Sequence, residues 1–391
     1  MAMKAAVLRR LYAYAFLDDF IFIYPLYQLM FASRGLSVGQ ISWLFVIWSV
    51  AALAAEIPTC VLADKFSRTK LLAIGQIIKA LGFGTWLVWP EFWGFAAGFV
   101  LWGIGSAFDS GTFQALIYDE LDAGGQRERY VRVRGRAESW RLVGNLVGTA
   151  SATLIVGFGF ETVLALSILA PVLGAVVAWT LPSAPAKEQV DEIEEAQSVL
   201  TGVVTAFKHP AMLGIVLFGG FVGAVYGSLE EYTALFFQAQ GAALASIPLL
   251  EASLVLAAVA ASFVAHRFER LGGRVFTLIL GVSGAVLLAS AITAPVVAIA
   301  LMMSFFFTTK LVDVIFDGKL QHSITGSLRA TVTSVAGFAV EILSIATYLV
   351  FGSIADARGT LMAFEVFGLV TLVVAGVYVL AGRRLLRELP N

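Results

Sequence analysis

The chain has 391 residues, of which 59% are hydrophobic and 14% are charged, and its formal net charge is −1. Soluble proteins carry about 25% charged residues, so this composition predicts a protein embedded in a lipid bilayer. The near-zero net charge excludes the basic excess of a nucleic-acid-binding protein. The single cysteine, Cys60, excludes a disulfide framework and a multi-cysteine zinc site.

Long apolar stretches separated by charge clusters predict twelve membrane-spanning helices, because one span needs about 20 apolar residues. Six are predicted near 11–32, 41–62, 71–89, 92–117, 138–158 and 162–181, and six near 211–236, 246–266, 274–292, 295–317, 331–354 and 360–381. The apolar runs are about twice as long as the roughly 10-residue strands of a membrane barrel, which predicts an all-α membrane protein. The first run is longer than the core of a signal peptide, and we expect it to be retained.

Residues 182–210 form a long polar stretch between the two sets of helices. This stretch is predicted to be a cytoplasmic linker between an N-terminal six-helix bundle, 1–181, and a C-terminal six-helix bundle, 211–391. Its apolar residues recur at near-helical spacing, which predicts an amphipathic helix at the membrane surface. A solvated tether is the alternative.

Basic residues predict the orientation of the chain in the membrane. With six helices on each side of the linker, the basic clusters within 65–70, 127–136, 267–274, 319–329 and 383–387 all lie on the face that holds both termini. The opposite loops contain only Arg34 and Arg358. The positive-inside rule therefore predicts a multi-pass protein of the inner (plasma) membrane with cytoplasmic termini.

The two halves of the chain resemble each other in sequence. Residues 63–68 read ADKFSR after the second helix, and residues 265–270 read AHRFER after the eighth. Arg136-Ala137 and Arg329-Ala330 likewise precede the fifth and eleventh helices. This duplication predicts two pseudo-symmetric six-helix bundles, an arrangement typical of secondary transporters whose substrate site lies between repeats at mid-membrane depth.

The run from Glu56 to Lys70 resembles a motif of the major facilitator superfamily, G-x-x-x-D-[RK]-x-G-[RK], which follows helix 2 in that family. Asp64, Lys65 and Arg68 match the motif, whereas Cys60 and Ser67 occupy positions where glycine is usual. The resemblance implies a twelve-helix transporter that alternates between inward-open and outward-open states, with helices 1, 4, 7 and 10 around a central cavity.

The resemblance also implies roles for these motif residues in conformational gating. Asp64 and Arg68 would bind partners on neighbouring helices and stabilise the outward-facing state, with Lys65 beside them. Asp119, which follows helix 4, is the candidate partner of Arg68. Solvated loop charges are the alternative interpretation.

Several ionisable residues lie near the middle of predicted helices. Each costs about 2.5 to 3.5 kcal/mol on insertion scales, so such residues normally face a cavity or a partner. They are Asp18, Asp19, Glu56, Lys79, Asp109, Lys310, Asp313 and Glu341, with Asp317 closer to the cytoplasm. Apart from Glu56 and Lys79, which are candidates for a buried pair between helices 2 and 3, they are candidate proton-coupling or substrate residues.

Helical spacing relates some of these charges to each other. Lys310, Asp313 and Asp317 share one face of helix 10 at i, i+3 and i+7, so a structural Lys310–Asp313 pair is an alternative to a functional role. Asp109 shares a face with Trp102 and Phe113, which suits a lipophilic cation through cation–π attraction; plain packing is the alternative.

Asp18 and Asp19 project about 100° apart around helix 1 and cannot both face the cavity. Asp18 is slightly favoured, because Phe22, a candidate cavity aromatic, and Pro25 continue its face.

Neighbouring carboxylates in a low-dielectric cavity resist simultaneous ionisation, which suits groups that exchange protons near neutral pH. The sequence therefore predicts a secondary transporter, similar to drug:proton antiporters, that exports small lipophilic or cationic compounds such as drugs in exchange for protons. Proton-coupled uptake of a sugar, peptide or siderophore is the alternative, followed by a channel or sensor. The expected partners are the substrate, protons and the bilayer, and the chain is expected to be monomeric.

The sequence contains no HExxH, P-loop or GxSxG motif, so no enzymatic activity, cofactor or metal site is predicted.

Overall fold

The computed structural model describes residues 5–182, 210–268, 273–323 and 328–385. This part of the chain is almost entirely helical and contains no strand. The predicted linker falls, apart from its first and last residues, outside the described residues. The predicted bundle boundaries and the amphipathic helix therefore stay predictions.

The helices follow the predicted order with shifted ends. The first set is α1 (Ala5–Asp19), α2 (Tyr27–Ser33), α3 (Val38–Lys65), α4 (Arg68–Val88), α5 (Phe92–Asp109), α6 (Thr112–Ala123), α7 (Tyr130–Ile155) and α8 (Phe160–Trp179). The second set is α9 (Pro210–Glu230), α10 (Thr233–Ala239), α11 (Ile247–Val264), α12 (Gly273–Ile292), α13 (Pro295–Ser323), α14 (Leu328–Arg358) and α15 (Thr360–Leu385). Among the described residues, eight helical segments are long and apolar enough to span a membrane. The predicted all-α membrane fold is confirmed.

The chain folds into two compact units. Unit 1 holds the described residues of Met1–Leu36, Trp43–Val190 and Leu244–Leu249, and unit 2 holds those of Ser37–Ser42, Asp191–Ala243 and Leu250–Asn391. Most of α3 thus belongs to unit 1, whereas its first turn belongs to unit 2.

Three helices that the sequence predicts as continuous are broken, and these predictions were wrong. The first helix stops at Asp19 and resumes at Tyr27, the fourth is interrupted at Ser110–Gly111, and the seventh at Glu231–Tyr232. Apolar length predicts a span but does not reveal such interruptions. The first helix of each six-helix set is therefore discontinuous, a feature that marks binding sites in transporters built from repeats.

Local chemistry stabilises the breaks. Pro25 cannot donate a backbone hydrogen bond, and the Ile23 amide, which would be unpaired outside a helix, donates to the Ser167 hydroxyl at 2.9 Å. Gly111 has a φ of +67°, a conformation that glycine adopts without steric cost. At the third break, the Thr233 hydroxyl donates to the Glu230 carbonyl at 2.7 Å.

Helix α7 packs closely against the end of α1 in unit 1. A Cβ atom at Gly144 would collide with the Phe16 carbonyl, and one at Gly148 would press on the Ile21 backbone. Two glycines one turn apart thus let the α1 backbone lie directly on α7. This contact fixes where α1 ends, and with it the position of Asp18 and Asp19.

In unit 2, the end of α14 binds the first turn of α3. The Asp356 carboxylate accepts hydrogen bonds from the Ser37 hydroxyl at 2.8 Å and from the Gly39 amide at 2.9 Å. The Ser42 and Tyr232 hydroxyls are 2.6 Å apart. Asp356 therefore satisfies the Gly39 amide hydrogen, which the start of a helix leaves without a backbone partner.

Candidate functional site

Asp18, at the end of α1, is the centre of a buried polar cluster in unit 1. Its side chain is 6% exposed. Gln76 donates to its Oδ1 atom at 2.6 Å, and Lys79 Nζ lies 3.3 Å from the same oxygen. Arg141 binds the other oxygen, Oδ2. Asp18 thus accepts contacts from three donors on α4 and α7.

Arg141 links Asp18 to a second carboxylate, Asp109. Its guanidinium contacts Asp109 Oδ2 at 3.0 Å while binding Asp18. The Tyr14 hydroxyl donates to Asp109 Oδ1 at 2.7 Å, and Gln76 donates to that hydroxyl at 3.2 Å. These contacts therefore form a closed ring that connects α1, α4, α5 and α7. A change at one carboxylate alters the partners available to the other.

Asp19 lies beside this network but has no matching partner. Among the described residues, its carboxylate makes no hydrogen bond or ion pair. The buried part of the cluster contains three carboxylates, Asp18, Asp19 and Asp109, but two cations, Lys79 and Arg141, while the more exposed Glu138 lies at its edge, 3.9 Å from Arg141. One negative charge is therefore uncompensated within the cluster. The sequence favours Asp18 over Asp19 because its helical face continues to Phe22, but in the structure the helix ends at Asp19 and that face does not continue.

Aromatic rings flank both cations. Lys79 Nζ lies 5.7 Å from the centroid of Tyr24, which stacks on Trp102 at 5.3 Å. The Arg141 guanidinium carbon lies 5.8 Å from the centroid of Phe113. Of the predicted aromatics, Phe113 thus lies against Arg141, whereas Trp102 reaches the cluster only through Tyr24. The third, Phe22, packs against Phe20 with ring centroids 4.9 Å apart.

A small cavity adjoins the Asp109–Arg141 pair. It measures about 200 Å³ and is lined by Asp109, Ser110, Phe113, Gln114, Arg134, Ala137, Glu138 and Arg141. Most of these side chains are polar, and Glu138 is 56% exposed. The cavity therefore gives a polar molecule access to one side of the charged cluster.

Unit 2 contains the predicted pair in the tenth helix, here α13. Lys310 Nζ lies 2.8 Å from Asp313 Oδ2 and 5.3 Å from the centroid of Tyr226. Both charged side chains are about one-third exposed, so the pair stays accessible. The Asp317 side chain lies outside the described residues, and Glu341 is partly buried in α14.

A further carboxylate, Glu251, lies near the break between α9 and α10. Its Oε2 atom accepts a hydrogen bond from the Thr233 hydroxyl at 2.9 Å. Its Oε1 atom is buried and has no hydrogen-bond partner in the described part of the chain. Glu251 is not identifiable as a site residue from the sequence, because it falls near the start of a predicted helix rather than near its middle.

The predicted gating residues are partly placed. Arg68 Nη1 lies 2.8 Å from Asp119 Oδ2, with side chains 5% and 14% exposed, so the predicted partnership is formed. The side chains of Asp64 and Lys65 lie outside the described residues, although their backbone continues α3 to its end. The role of these residues in gating stays a prediction.

One predicted contact is wrong. Lys79 binds Asp18 rather than Glu56, and Glu56 is exposed. The break at Asp19 explains this, because it leaves the Asp18 carbonyl free to accept from Lys79 at 2.6 Å.

Arg141, Gln76 and Tyr14 were also missed by the sequence analysis. Arg141 is only three residues inside the predicted fifth helix, where a basic residue suggests an interfacial position. Gln76 and Tyr14 carry no charge. The spacing of Gln76 and Lys79 at i and i+3 was the available signal.

These features define a polytopic membrane transporter: apolar helices, interrupted at corresponding positions, surround buried charges that are costly in a bilayer. The sequence profile of the Major Facilitator Superfamily matches residues 11–347. The chain belongs to this superfamily.

Solved structures show the same fold at low sequence identity. The nucleoside transporter NupG aligns with a TM-score of 0.80 and 14% identity over 98% of this chain and 100% of that one. A bacterial homolog of the human lysosomal transporter Spinster aligns with a TM-score of 0.77 and 15% identity, over 99% of this chain and 98% of that one. A D-xylose–proton symporter aligns with a TM-score of 0.71 and 12% identity over 95% of each chain. A comparison with curated protein sequences finds no significant match.

Proposed function

We propose that this transporter exports small lipophilic or cationic compounds in exchange for protons, and that the cluster around Asp18 couples the two movements. The observation that carries the proposal is the charge inventory of the cluster. Lys79 and Arg141 bind Asp18 and Asp109, and the third carboxylate, Asp19, adjoins them without an ion pair among the described residues. An uncompensated charge in a low-dielectric environment is unfavourable, so the cluster is most stable when it binds one further positive charge.

Either a proton or a cationic substrate supplies that charge. Asp19 has no fixed partner, so its carboxylate is where the proton and the cationic substrate compete. Mutually exclusive occupancy of one site by a proton and a cation produces antiport, because release of one is required for binding of the other.

Aromatic rings support a cationic substrate. Tyr24 and Phe113 already have the Lys79 and Arg141 cations near their rings. Rings placed this way attract organic cations through their quadrupole. Trp102, stacked on Tyr24, extends the aromatic surface.

The proposal is tested in proteoliposomes with the membrane potential clamped at zero by potassium and valinomycin. The probe is tetraphenylphosphonium, a lipophilic cation. Antiport requires that an acid interior drives accumulation inside the vesicle. Asp19→Asn should abolish this accumulation while retaining exchange of labelled for unlabelled probe. Glu56→Gln, at an exposed carboxylate, is the matched control and should behave like the unaltered protein.

Uptake of a polar metabolite is the second candidate, and the polar cavity beside Asp109 and Arg141 favours it. Its hydroxyl, amide and guanidinium groups suit hydrogen bonding to a neutral polar substrate. Symport reverses the sign of the experiment: an acid exterior should drive accumulation of labelled uridine or D-xylose. If uridine or D-xylose accumulates and tetraphenylphosphonium does not, the result supports uptake and contradicts export.

We also propose that the predicted topology and gating apply. Both termini would face the cytoplasm of an inner-membrane protein, and the Arg68–Asp119 pair would act with Asp64 and Lys65 to stabilise one state of the transport cycle. The burial of that pair supports the second point. Reporter fusions at each terminus test the first.

A further inference from the structure

An apolar groove lies between α4 and α8 in unit 1. It measures about 360 Å³, and its lining includes no charged side chain. Gln76 and Lys79 of α4 are buried in the polar cluster instead. The groove is therefore separate from the proposed transport site.

The groove has a floor of small residues and walls of branched residues. Ala73 and Ala175 are buried at its base. Ile74 and Ile77 form one wall and Val172 and Val176 the other, and all four are exposed. Alanines between two rows of larger side chains leave a shallow channel on the surface of the helix pair. Such a channel fits an unbranched hydrocarbon chain.

The position of the groove in a membrane protein determines what lies against it. Both α4 and α8 are long and apolar enough to span the bilayer. Their exposed isoleucines and valines would be an unfavourable patch in water, but they match the hydrocarbon region. The groove therefore opens toward lipid acyl chains.

Two basic side chains, Lys70 and Arg10, lie near one end of the groove, outside its lining. Lys70 is exposed and lies one helical turn before Ile74 on the same side of α4. On the other helix the groove ends at Trp179, and the carbonyl of the next residue, Thr180, accepts a hydrogen bond from Arg10 at 2.7 Å. Tryptophan and basic residues mark the interface of a membrane, so this end lies at headgroup level.

We propose that this groove binds an anionic phospholipid, with one acyl chain between α4 and α8 and the phosphate beside Lys70 and Arg10. Acyl chains are as apolar as the groove, so the tail alone gives no preference over surrounding lipid. Selectivity must come from the headgroup, where basic side chains between spanning helices attract negative charge. The bound lipid packs against α4 and stabilises the helix that carries Gln76 and Lys79.

The test is lipid retention by the purified, delipidated protein, measured by native mass spectrometry. The protein is mixed with equal amounts of phosphatidylglycerol and phosphatidylcholine of the same chain length. We expect phosphatidylglycerol to be retained preferentially. The combined Lys70→Gln and Arg10→Gln variant should lower the ratio of the two retained lipids on the order of tenfold. Arg267→Gln, at an exposed arginine of unit 2, is the control and should leave the ratio unchanged.

A second variant tests the groove itself. Ile77→Trp fills the channel with a larger side chain. The position is exposed toward lipid, so the protein should fold. Retention of phosphatidylglycerol should fall. Inorganic phosphate alone should not displace the lipid, because it lacks the tail. An unchanged lipid ratio in the double variant, or undiminished retention in Ile77→Trp, would overturn the proposal. Displacement by inorganic phosphate would show that the site binds the anion rather than a phospholipid, which also contradicts it.

Discussion

Lys79 donates a hydrogen bond to the backbone carbonyl of Asp18 at 2.6 Å, and the same ammonium lies 3.3 Å from the Asp18 carboxylate. The carbonyl is available because α1 ends one residue later. Lys79 therefore does two things: it compensates a buried charge, and it satisfies a backbone group that the interrupted helix leaves open. The helix break and the charge pair stabilise each other.

We expect Lys79→Ala to destabilise the protein by about 3–5 kcal/mol, because it leaves the Asp18 carboxylate buried with one cation fewer. Thermal unfolding in detergent measures the effect. Adding Asp18→Asn should recover part of the loss, since the amide needs no counter-charge. A double variant as unstable as the sum of its parts would show that the two side chains do not interact.

Arg141 is predicted to require a guanidinium rather than any cation. It contacts Asp18 and Asp109 at once, and lysine is a compact point charge that cannot reproduce a two-carboxylate bridge. Losing one charge-assisted hydrogen bond costs about 1.5–3 kcal/mol. Arg141→Lys should therefore reduce proton-driven accumulation of tetraphenylphosphonium on the order of tenfold or more.

The control for Arg141 is another arginine in the same helix. Arg132→Lys alters an exposed turn of α7 and should leave transport unchanged. Equal activity of Arg141→Lys and the unaltered protein would mean that bridging the two carboxylates is not required.

Much of the fold was predictable from the sequence, because about 20 apolar residues bounded by charges are a strong signal for a spanning helix. The breaks were less visible. Pro25 and Gly111 were available as signals, but proline and glycine also occur within continuous membrane helices, where neighbours satisfy the freed backbone groups. The third break, at Glu231–Tyr232, has neither residue.

The candidate site was predictable by residue type but not by partner. An Asp or Lys at mid-membrane depth is identifiable because placing it in the bilayer costs free energy. This reasoning identified Asp18, Asp19, Lys79 and Asp109. Their pairing depends on how the helices pack, and the sequence pairs Lys79 with Glu56 of the preceding helix, whereas the structure pairs it with Asp18. Arg141 was missed because its depth depends on α7 beginning eight residues earlier than predicted.

The glycine contacts of α7 should be sensitive to a single methyl group. Gly144→Ala places a Cβ atom against the Phe16 carbonyl, whereas Gly135→Ala, in the same helix, places it in open space. Overpacking of this kind costs about 1–3 kcal/mol, and alanine in an uncrowded helix position is neutral or slightly stabilising. Thermal unfolding of the two variants in the same detergent compares them directly. Equal stability would mean that α1 can move away from α7 without cost.

Asp356 is predicted to hold the first turn of α3. It accepts from the Ser37 hydroxyl, which itself accepts from the Gln40 amide, and from the Gly39 amide, a group that the start of a helix leaves without a backbone partner. In Asp356→Ala these groups lose their acceptor, so the first turn should open more often. Hydrogen exchange measured by mass spectrometry should be faster on the order of fivefold in peptides covering 37–42, and unchanged in peptides from the middle of α3.

Arg358→Gln removes a charge from the same helix end without touching α3, and it should leave exchange as it was. Unaltered exchange in Asp356→Ala would show that the contact does not stabilise the turn, since α3 would then begin equally well without it.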